Sequence, residues 1–284
     1  MQHNSSFSRV QMSATAVNPP RTRRRERSPW AVQRAVLFAL VLRELRTRIG
    51  RHWSGILWTV FEPLTHVLVI LTVFGYIRNI ASPVMEYPVF LVAGLMPFFL
   101  FRSLSQRLTD SIEPNRGLFA FRQVKPLDTV IARAVVEGVV WLGVLVFTLG
   151  ILLWLGLHAL PKQPLQFFLV ALLAAFIGAP LGLLLAVTTQ GMRRLRFVIH
   201  LTYYPLYISS GVIWNINRFP AKWFDVLSWN PMMHLVELSR NAFEPLHPVH
   251  LGLGWHYPAG TALVLMASSL AMYRRNRDQL LLEP

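Results

Sequence analysis

Hydrophobic and polar positions along this 284-residue chain are arranged in long blocks. Residues 138–161, 163–192 and 197–217 carry no charged side chain, and most of their positions are apolar. About 20 apolar residues suffice for an α-helix to cross a bilayer, and a shorter run can extend through an arginine that snorkels to the surface. The pattern therefore predicts an all-α integral membrane protein with six transmembrane helices, over residues 56–77, 87–102, 138–161, 163–192, 197–217 and 253–273.

Glu62 and His66 interrupt the first predicted span, one helical turn apart. A carboxylate at mid-membrane costs about 2.5–3.5 kcal/mol on insertion scales, so Glu62 should face protein or water rather than lipid. One interpretation is contact with a substrate. The alternative is structural, with Pro63 kinking the helix and Glu62 capping the freed backbone groups. Two side chains are too few for a structural metal site, which usually takes four ligands.

Composition and charge narrow the class of protein. Apolar residues make up 54% of the chain and charged residues 14%, whereas the net charge is +15. Of the 28 Lys and Arg residues, 23 fall on one predicted side of the membrane and 5 on the other. Because cytoplasmic segments carry the excess of Lys and Arg, both termini are predicted to be cytoplasmic. The arginines lie beside membrane segments, which argues against a nucleic-acid surface.

Two absences in the sequence exclude kinds of chemistry. The chain has no cysteine, so it has no disulfide, no thiolate metal site and no cysteine nucleophile. It also has no G-x-x-x-x-G-K-[ST] stretch, so it carries no P-loop of its own. Neither a metal nor a cofactor is expected in this chain.

Both ends of the chain differ from its membrane domain. Residues 1–29 are polar and rich in Ser, Pro and Arg, and they are predicted to be a disordered, basic cytoplasmic tail. Residues 30–50 fit a basic helix in the cytoplasmic interface, in contact with membrane lipids. The membrane domain covers residues 30–275, and residues 276–284 are predicted to be a second cytoplasmic tail. The apolar stretch at 35–42 is too short for a signal peptide and lacks its cleavage site.

Residues 110–133 form a polar island between two predicted spans. Pro114 can begin a short helix, and Pro126 ends it, because the residue before a proline disfavours the helical conformation. Basic side chains alternate there with an apolar cluster, which suits a docking surface for a soluble partner at about residues 113–123. The alternative is a solvated loop whose charges only set the topology.

The outer connection over residues 214–256 is too apolar for an exposed loop. Asn230 and Pro231 predict the start of a helix of about 13 residues, because Asn favours the cap and Pro the first turn. Such a helix rises roughly 20 Å, too little to cross the bilayer, and is predicted to be re-entrant in the outer leaflet. The histidines that follow are expected to be solvated loop residues rather than metal ligands, namely His247, His250 and His256.

Three stretches together resemble the permease subunit of ATP-binding-cassette exporters for polysaccharides. They are RELRTRIGRHWSGILWTVFEPL at 43–64, GLMPFFLFRSLSQRLTDSIEPNRGLFAFRQVKPLDTVIAR at 94–133 and SWNPMMHLVELSRNAF at 228–243. The sequence is most similar to the capsular polysaccharide branch, through FLFRSLSQRL, the pair Gly117-Leu118 before FAFRQVKP, and the step Glu62-Pro63. The resemblance covers roughly residues 30–275.

The resemblance implies a homodimer of six-span permeases in the bacterial inner membrane, bound to two copies of a separate cytoplasmic ATPase. ATP and Mg would be bound by that partner, so this chain would not itself be an enzyme. The helix at about 113–123 would couple the two subunits. The implied substrate is a lipid-linked, usually anionic polysaccharide that passes to the periplasm, and a periplasmic or outer-membrane export partner is also expected.

Candidate residues fall into three groups. A translocation path at the dimer interface is expected to be lined by Trp58, Phe61, Glu62, His66, Phe98, Phe101, Tyr203, Tyr207 and Trp214. The substrate is expected to enter past Arg43, Arg46, Arg48, Arg51 and His52. Docking to the ATPase is expected to use Arg116, Leu118, Phe119, Phe121, Arg122 and Lys125. Phenols can stack on sugar rings, and helix packing is the alternative for the tyrosines.

Other functions are left open by the sequence. Export of another lipid-linked polymer, such as O-antigen or teichoic acid, would suit the same architecture. An intramembrane enzyme would need a converging acid, base or metal set, and Glu62 with His66 alone is too small a set. A passive channel would not need the predicted docking helix.

Overall fold

The computed structural model describes residues 28–49, 84–218 and 221–282, together with Phe61, Thr65, Leu68, Val69 and Thr72. Within these residues every regular element is a helix, which confirms the predicted all-α class. The α-helices are α1 (Pro29–Ile49), α2 (Tyr87–Thr109), α3 (Pro126–Trp154), α4 (Pro164–Thr188), α5 (Arg193–Ser209), α6 (Ala221–Leu227), α7 (Pro231–Phe243) and α8 (His256–Leu282). Two 3-10 helices are η1 (Glu113–Ala120) and η2 (Ile216–Arg218).

Several sequence predictions fall outside the described residues. The first predicted span, 56–77, is described only at five separate helical positions. Its candidate residues Trp58, Glu62 and His66 are not among them, and neither are Arg51 and His52. The predicted tail at 1–29 is described only at its last two residues.

Several helices begin with a proline at the point where a connecting loop ends. α2, α3, α4 and α7 each have a proline in their first two positions, where its missing N–H is not needed and its fixed φ suits the helix. At the start of α3, a side-chain oxygen of Asp128 also accepts a hydrogen bond from the backbone N–H of Lys125 at 2.9 Å. This bond satisfies one of the donors that a helix start leaves open.

α2 lies at the centre of the packing. It contacts α3, α4, α5 and α7, and 78% of its most apolar 18-residue window is buried inside the protein. The corresponding buried fractions are 39% for α3 and 44% for α4, which expose large apolar side chains such as Val146 and Phe168. α2 is therefore enclosed by protein, whereas α3 and α4 each present a broad apolar face to their surroundings.

Small residues on α4 allow it to lie against the backbone of α2. A Cβ atom added at Gly178 would stand 2.6 Å from the carbonyl oxygen of Phe101. A Cβ at Gly182 would stand 2.8 Å from the carbonyl oxygen of Ser105. Glycine permits this approach because it places no side-chain atom between the two backbones.

Three described helices are long and apolar enough to cross a membrane, namely α2, α3 and α4. α5 has only 17 residues, and polar and small residues dilute the apolar part of α8. These three correspond to the second, third and fourth predicted spans.

The bounds of several helices differ from those of the predicted spans. α3 begins at Pro126, twelve residues before the predicted start, because charged side chains in its first half pair with other helices. It ends at Trp154 because Gly156 adopts a φ of +81°. α5 ends at Ser209, shortly before Gly211 with a φ of +71°. α8 continues beyond the predicted end of the sixth span to Leu282.

The glycine contact between α2 and α4 yields a prediction about stability. Gly178→Ala should lower the free energy of unfolding by about 1–3 kcal/mol, because the new methyl group overlaps backbone atoms that cannot move aside independently. Thermal unfolding of the purified chain in detergent measures the change. Gly150→Ala in α3 is the matched control, since a Cβ there meets no atom within 4 Å. Equal unfolding temperatures for the two variants would contradict the close-packing argument.

Candidate functional site

The first candidate site is the connection between α2 and α3, called here the docking segment and comprising residues 113–125. The predicted short helix is present as η1, followed by a turn at Phe121. Phe121 is 64% exposed, whereas Phe119 packs against the hydrophobic core. Arg122 and Lys125 are exposed, and Arg116 and Leu118 are half-buried. The predicted docking cluster is therefore divided between an inward-facing Phe119 and an outward-facing Phe121.

An ion pair fixes the docking segment to the start of α5. The guanidinium of Arg196 donates to the Glu113 carboxylate, and its Nη1 lies 3.5 Å from Oδ1 of Asp110. The backbone N–H of Gly191 donates to the same Glu113 oxygen at 2.9 Å. The hydrogen bond from Arg196 is the largest cause that holds the pKa of Glu113 below its ordinary value. Glu113 is thus stabilised as a carboxylate and joins η1 to α5.

A second set of polar contacts joins the docking segment to α1. Arg43 donates to the side-chain oxygen of Asn115 at 2.9 Å, and Asn115 donates to the carbonyl oxygen of Ser111 at 2.7 Å. Nearby, Arg133 of α3 pairs with Glu44 of α1 at 2.5 Å. The docking segment is therefore attached both to the basic N-terminal helix and to α5.

The arginines predicted to receive the substrate differ in their surroundings. Arg43 is bonded to Asn115, as described above. Arg48 forms an ion pair with the buried carboxylate of Glu137 at 2.9 Å. Arg46 is exposed on α1. A role for these arginines in substrate recognition stays a prediction.

Four aromatic residues of the predicted path form a buried row between α2 and α5. The rings of Phe98 and Tyr207 lie 5.1 Å apart, and those of Phe101 and Tyr203 lie 6.0 Å apart. All four side chains are buried within the protomer, and the Tyr203 hydroxyl is hydrogen-bonded to that of Ser105. Tyr203 and Tyr207 thus lie on the same, inward face of α5. These contacts support the helix-packing alternative, and the path assignment stays a prediction.

The other described members of the predicted path lie elsewhere. Phe61 is 57% exposed. Trp214 is half-buried, and its carbonyl oxygen accepts a hydrogen bond from Arg240 at 3.5 Å. The structure therefore does not bring all of the described path residues into one lining.

The predicted outer helix is present as α7, with 13 residues from Pro231 to Phe243. The side chain of Asn230 accepts a hydrogen bond from the N–H of Met232 at 2.9 Å, which confirms the predicted cap. The amide of Asn230 also donates to the hydroxyls of Ser209 and Ser210, at 3.0 and 2.9 Å. This one side chain starts α7 and holds it against the end of α5.

A fully buried cluster joins two residues of α7, Glu237 and Arg240, to His247 in the loop that follows. Arg240 Nη1 donates to Oε1 of Glu237 at 2.6 Å, and Nε2 of His247 lies 2.9 Å from Oε2 of the same carboxylate. Arg240 Nη2 donates to the carbonyl oxygens of Gly211 and Val212, at 2.8 and 2.7 Å. The cluster thus connects α7, the turn after α5 and the loop at residue 247.

Two features of this cluster were not foreseen from the sequence. The expectation that His247 is a solvated loop histidine was wrong, because its ring is buried against Glu237. His250 and His256 are exposed, as expected. The residue missed altogether was Arg240, which was counted only as an outer charge. Its i,i+3 spacing from Glu237 within an apolar helix was the available signal.

Neither the docking segment nor the Glu237–Arg240–His247 cluster resembles a metal site. Among the described residues, no group of three or more His, Cys, Asp or Glu side chains could hold a metal ion. Glu113 and Glu237 instead pair with arginines, which suits a structural role.

Comparison with known proteins adds to this geometry. A sequence profile of the ABC-2 type transporter family matches residues 35–243. The polysialic acid transport protein KpsM of Escherichia coli is 37% identical over 255 residues, which is 90% of this chain and 98% of that protein. The capsule polysaccharide export inner-membrane protein CtrC of Neisseria meningitidis serogroup B is 28% identical over 245 residues, 85% of this chain and 91% of that protein.

A third relative extends the comparison to another organism. The capsule polysaccharide export inner-membrane protein BexB of Haemophilus influenzae is 26% identical over 237 residues, 83% of this chain and 89% of that protein. The family profile, which matches residues 35–243, includes α2 to α5, the docking segment and α7.

The buried cluster yields a prediction about stability. Arg240→Met should lower the free energy of unfolding by about 3–5 kcal/mol, because it leaves backbone carbonyls and part of the Glu237 carboxylate unpaired in a buried site. Thermal unfolding in detergent measures the loss. Lys162→Met is the matched control, since Lys162 pairs with Glu244 while its side chain is 57% exposed. That pair should contribute only about 0–1 kcal/mol, and a comparable loss in both variants would contradict the importance of burial.

Proposed function

We propose that this chain, which belongs to the ABC-2 type transporter family, is the membrane subunit of an exporter that moves lipid-linked capsular polysaccharide across the bacterial inner membrane. A separate ATPase subunit hydrolyses the ATP that drives export. The observation that carries the proposal is the 37% identity to the polysialic acid transport protein, over 90% of this chain and 98% of that protein. Two further relatives named as capsule polysaccharide export inner-membrane proteins support the same substrate class.

The proposed assembly is a homodimer of six-span subunits with two ATPase copies. The asymmetry of 23 against 5 Lys and Arg residues supports cytoplasmic termini. With this orientation, α1 lies in the cytoplasmic interface, and α7 is a re-entrant helix in the outer leaflet. The length of α7, 13 residues, supports a segment that enters the outer leaflet without crossing the membrane. A periplasmic or outer-membrane partner would receive the polymer.

The docking segment couples the membrane subunit to the ATPase. Phe121 is the anchor, because a mostly exposed aromatic side chain beside Arg122 can fill an apolar pocket on a partner while basic groups meet its rim. Phe119 supports the segment from inside, through its packing against the core. Movement of the ATPase would reach α1 and α5 through the bonds of Asn115 and Glu113.

The substrate enters at the cytoplasmic arginines and leaves at the outer helix. Exposed positive charge on α1, such as Arg46, attracts anionic lipid-linked sugar chains to the membrane surface. Aromatic rings offer modest stacking contacts that repeat from one sugar ring to the next. Trp58 and the row at Tyr207 are the candidates for such contacts in the conducting state.

The function is tested by deleting the chain from the organism that encodes it. Cells should lose surface capsule and accumulate the polysaccharide inside, and the wild-type chain should restore export. Immunoblots of intact and lysed cells with a capsule-specific antibody measure both pools. Normal capsule in the deletion strain, with loss of O-antigen or another surface polymer instead, would contradict the proposed substrate.

The exposed position of Phe121 yields a separate prediction about coupling. Phe121→Ala should weaken association with the ATPase by at least about tenfold, because buried aromatic anchors commonly contribute 2 kcal/mol or more to binding. Co-purification of the tagged chain with its ATPase measures the effect. Arg116→Ala should have a smaller effect, because charges at the rim of an interface contribute about 0–1 kcal/mol.

A control separates docking from folding in this experiment. Phe119→Ala should lower the thermal stability of the isolated chain, whereas Phe121→Ala should leave that stability unchanged. If a stable Phe121→Ala variant co-purified with as much ATPase as the wild type, Phe121 would not be part of the interface.

A further inference from the structure

A small cavity lies at the junction of α1, α2 and α3, and apart from Arg48 none of its lining residues has a role in the function proposed above. Its volume is about 70 Å³, and its lining residues include three arginines, Arg48, Arg102 and Arg107. Ser103 and Gln106 add a hydroxyl and an amide to the same lining. One water-sized sphere occupies roughly 10–15 Å³, so the cavity has room for a group of about five non-hydrogen atoms.

The charges around the cavity are not balanced. Three of the lining residues, Arg48, Ser103 and Arg107, contact the carboxylate of Glu137, whose side chain is 2% exposed. Arg48 occupies it at 2.9 Å, and Nε of Arg107 lies 3.9 Å from the same oxygen. Among the described residues Arg102 forms no ion pair, and its Nε donates to the side chain of Gln106 at 3.3 Å. Among the described residues, Arg48 already neutralises Glu137, and the charges of Arg102 and Arg107 remain beside the cavity, so the cavity favours an anion.

The cavity is also amphipathic. Phe99 and Val140 form its apolar wall, on the side of the membrane core, while Gln106 and Arg107 lie one to two turns nearer the end of α2. Arg102 lies between them, with its guanidinium 5.3 Å from the centre of the Tyr204 ring. A group that is charged at one end and apolar at the other fits this gradient. A free anion would leave the apolar wall unused.

We propose that this cavity binds the phosphate group of an anionic lipid in the cytoplasmic leaflet, with Arg102 and Arg107 as its ligands. Guanidinium groups match phosphate because their planar N–H donors bind two oxygens at once. Ser103 and Gln106 position the arginines and supply further polar contacts. The assignment to the cytoplasmic leaflet rests on the orientation proposed above, whereas the preference for phosphate rests on the cavity itself.

The test uses the full-length chain purified with its ATPase and measures bound lipid by native mass spectrometry. The chain should retain added phosphatidylglycerol and should retain phosphatidylcholine much less. Arg102→Gln and Arg107→Gln should each lower phosphatidylglycerol binding by at least about tenfold. Arg102→Lys should restore part of it, because lysine keeps the charge and loses the two-pronged geometry.

The control variant is Arg275→Gln, which removes an exposed arginine of α8 far along the chain from the cavity. It should bind phosphatidylglycerol as the wild type does. Wild-type binding in both cavity variants, or an equal loss in Arg275→Gln, would overturn the proposal. A thermal unfolding measurement on each variant identifies any loss of binding that follows from misfolding. If Arg102→Gln does not fold, the comparison of Arg102→Lys with the wild type still tests the site, because lysine keeps the charge.

Two additional measurements identify the source of the phosphate. Inorganic phosphate at millimolar concentration should not displace the lipid, and displacement would overturn the lipid assignment. Export by a folded Arg102→Gln variant distinguishes two possible ligands, the lipid anchor of the cargo and a resident membrane lipid. Reduced export with normal ATPase association indicates the lipid anchor of the cargo, whereas normal export indicates a resident membrane lipid. Lipid binding is read without transport, so its outcome is independent of whether the proposed export function holds.

Discussion

A single buried guanidinium governs how α7 packs against α2 and the end of α5. Arg240 has no exposed side-chain surface, and a buried charge is tolerated only when it is paired and its donors are satisfied. Its partners come from three parts of the chain, namely the Glu237 carboxylate, the carbonyls of Gly211 and Val212, and the Phe90 ring at 3.6 Å. The burial of Arg240 therefore requires α7, the end of α5 and the start of α2 to meet at one point.

The surrounding backbone is adapted to this requirement. Gly211 has a φ of +71°, which turns the chain after α5 and places its carbonyl oxygen within reach of Arg240. Gly94 on α2 leaves room for the guanidinium, because a Cβ there would stand 2.9 Å from Nη2. Glu237 is shared between Arg240 and His247, so the same charge also holds the loop after α7. Local conformation and tertiary packing therefore depend on the same ion.

Sequence reasoning located the elements that follow from local rules. The cap at Asn230 and the proline after it defined α7, and the proline-bounded connection defined η1, since these signals act within a few residues. The same reasoning missed the start of α3, because Glu137 reads as a charge at the edge of a span. Its partner Arg48 is 89 residues away, and its burial depends on a contact that no local pattern contains. His247 was misassigned although its partner Glu237 is only 10 residues away, because the burial of both side chains depends on packing between helices.

The two ends of the protein differ in how costly their ionic contacts are to rearrange. At the docking segment, Glu113 and Arg196 keep 26% and 12% of their side-chain surface exposed, and Asp110 keeps 46%. Water therefore reaches these contacts in part, and an ion pair costs less to separate as its exposure increases. The Glu237–Arg240 pair has no exposed surface, and separating it would leave both charges in a medium that stabilises neither. A conformational change that begins at the docking segment therefore costs less free energy there than at the Glu237–Arg240 pair, and α7 keeps its attachment to α2 and α5.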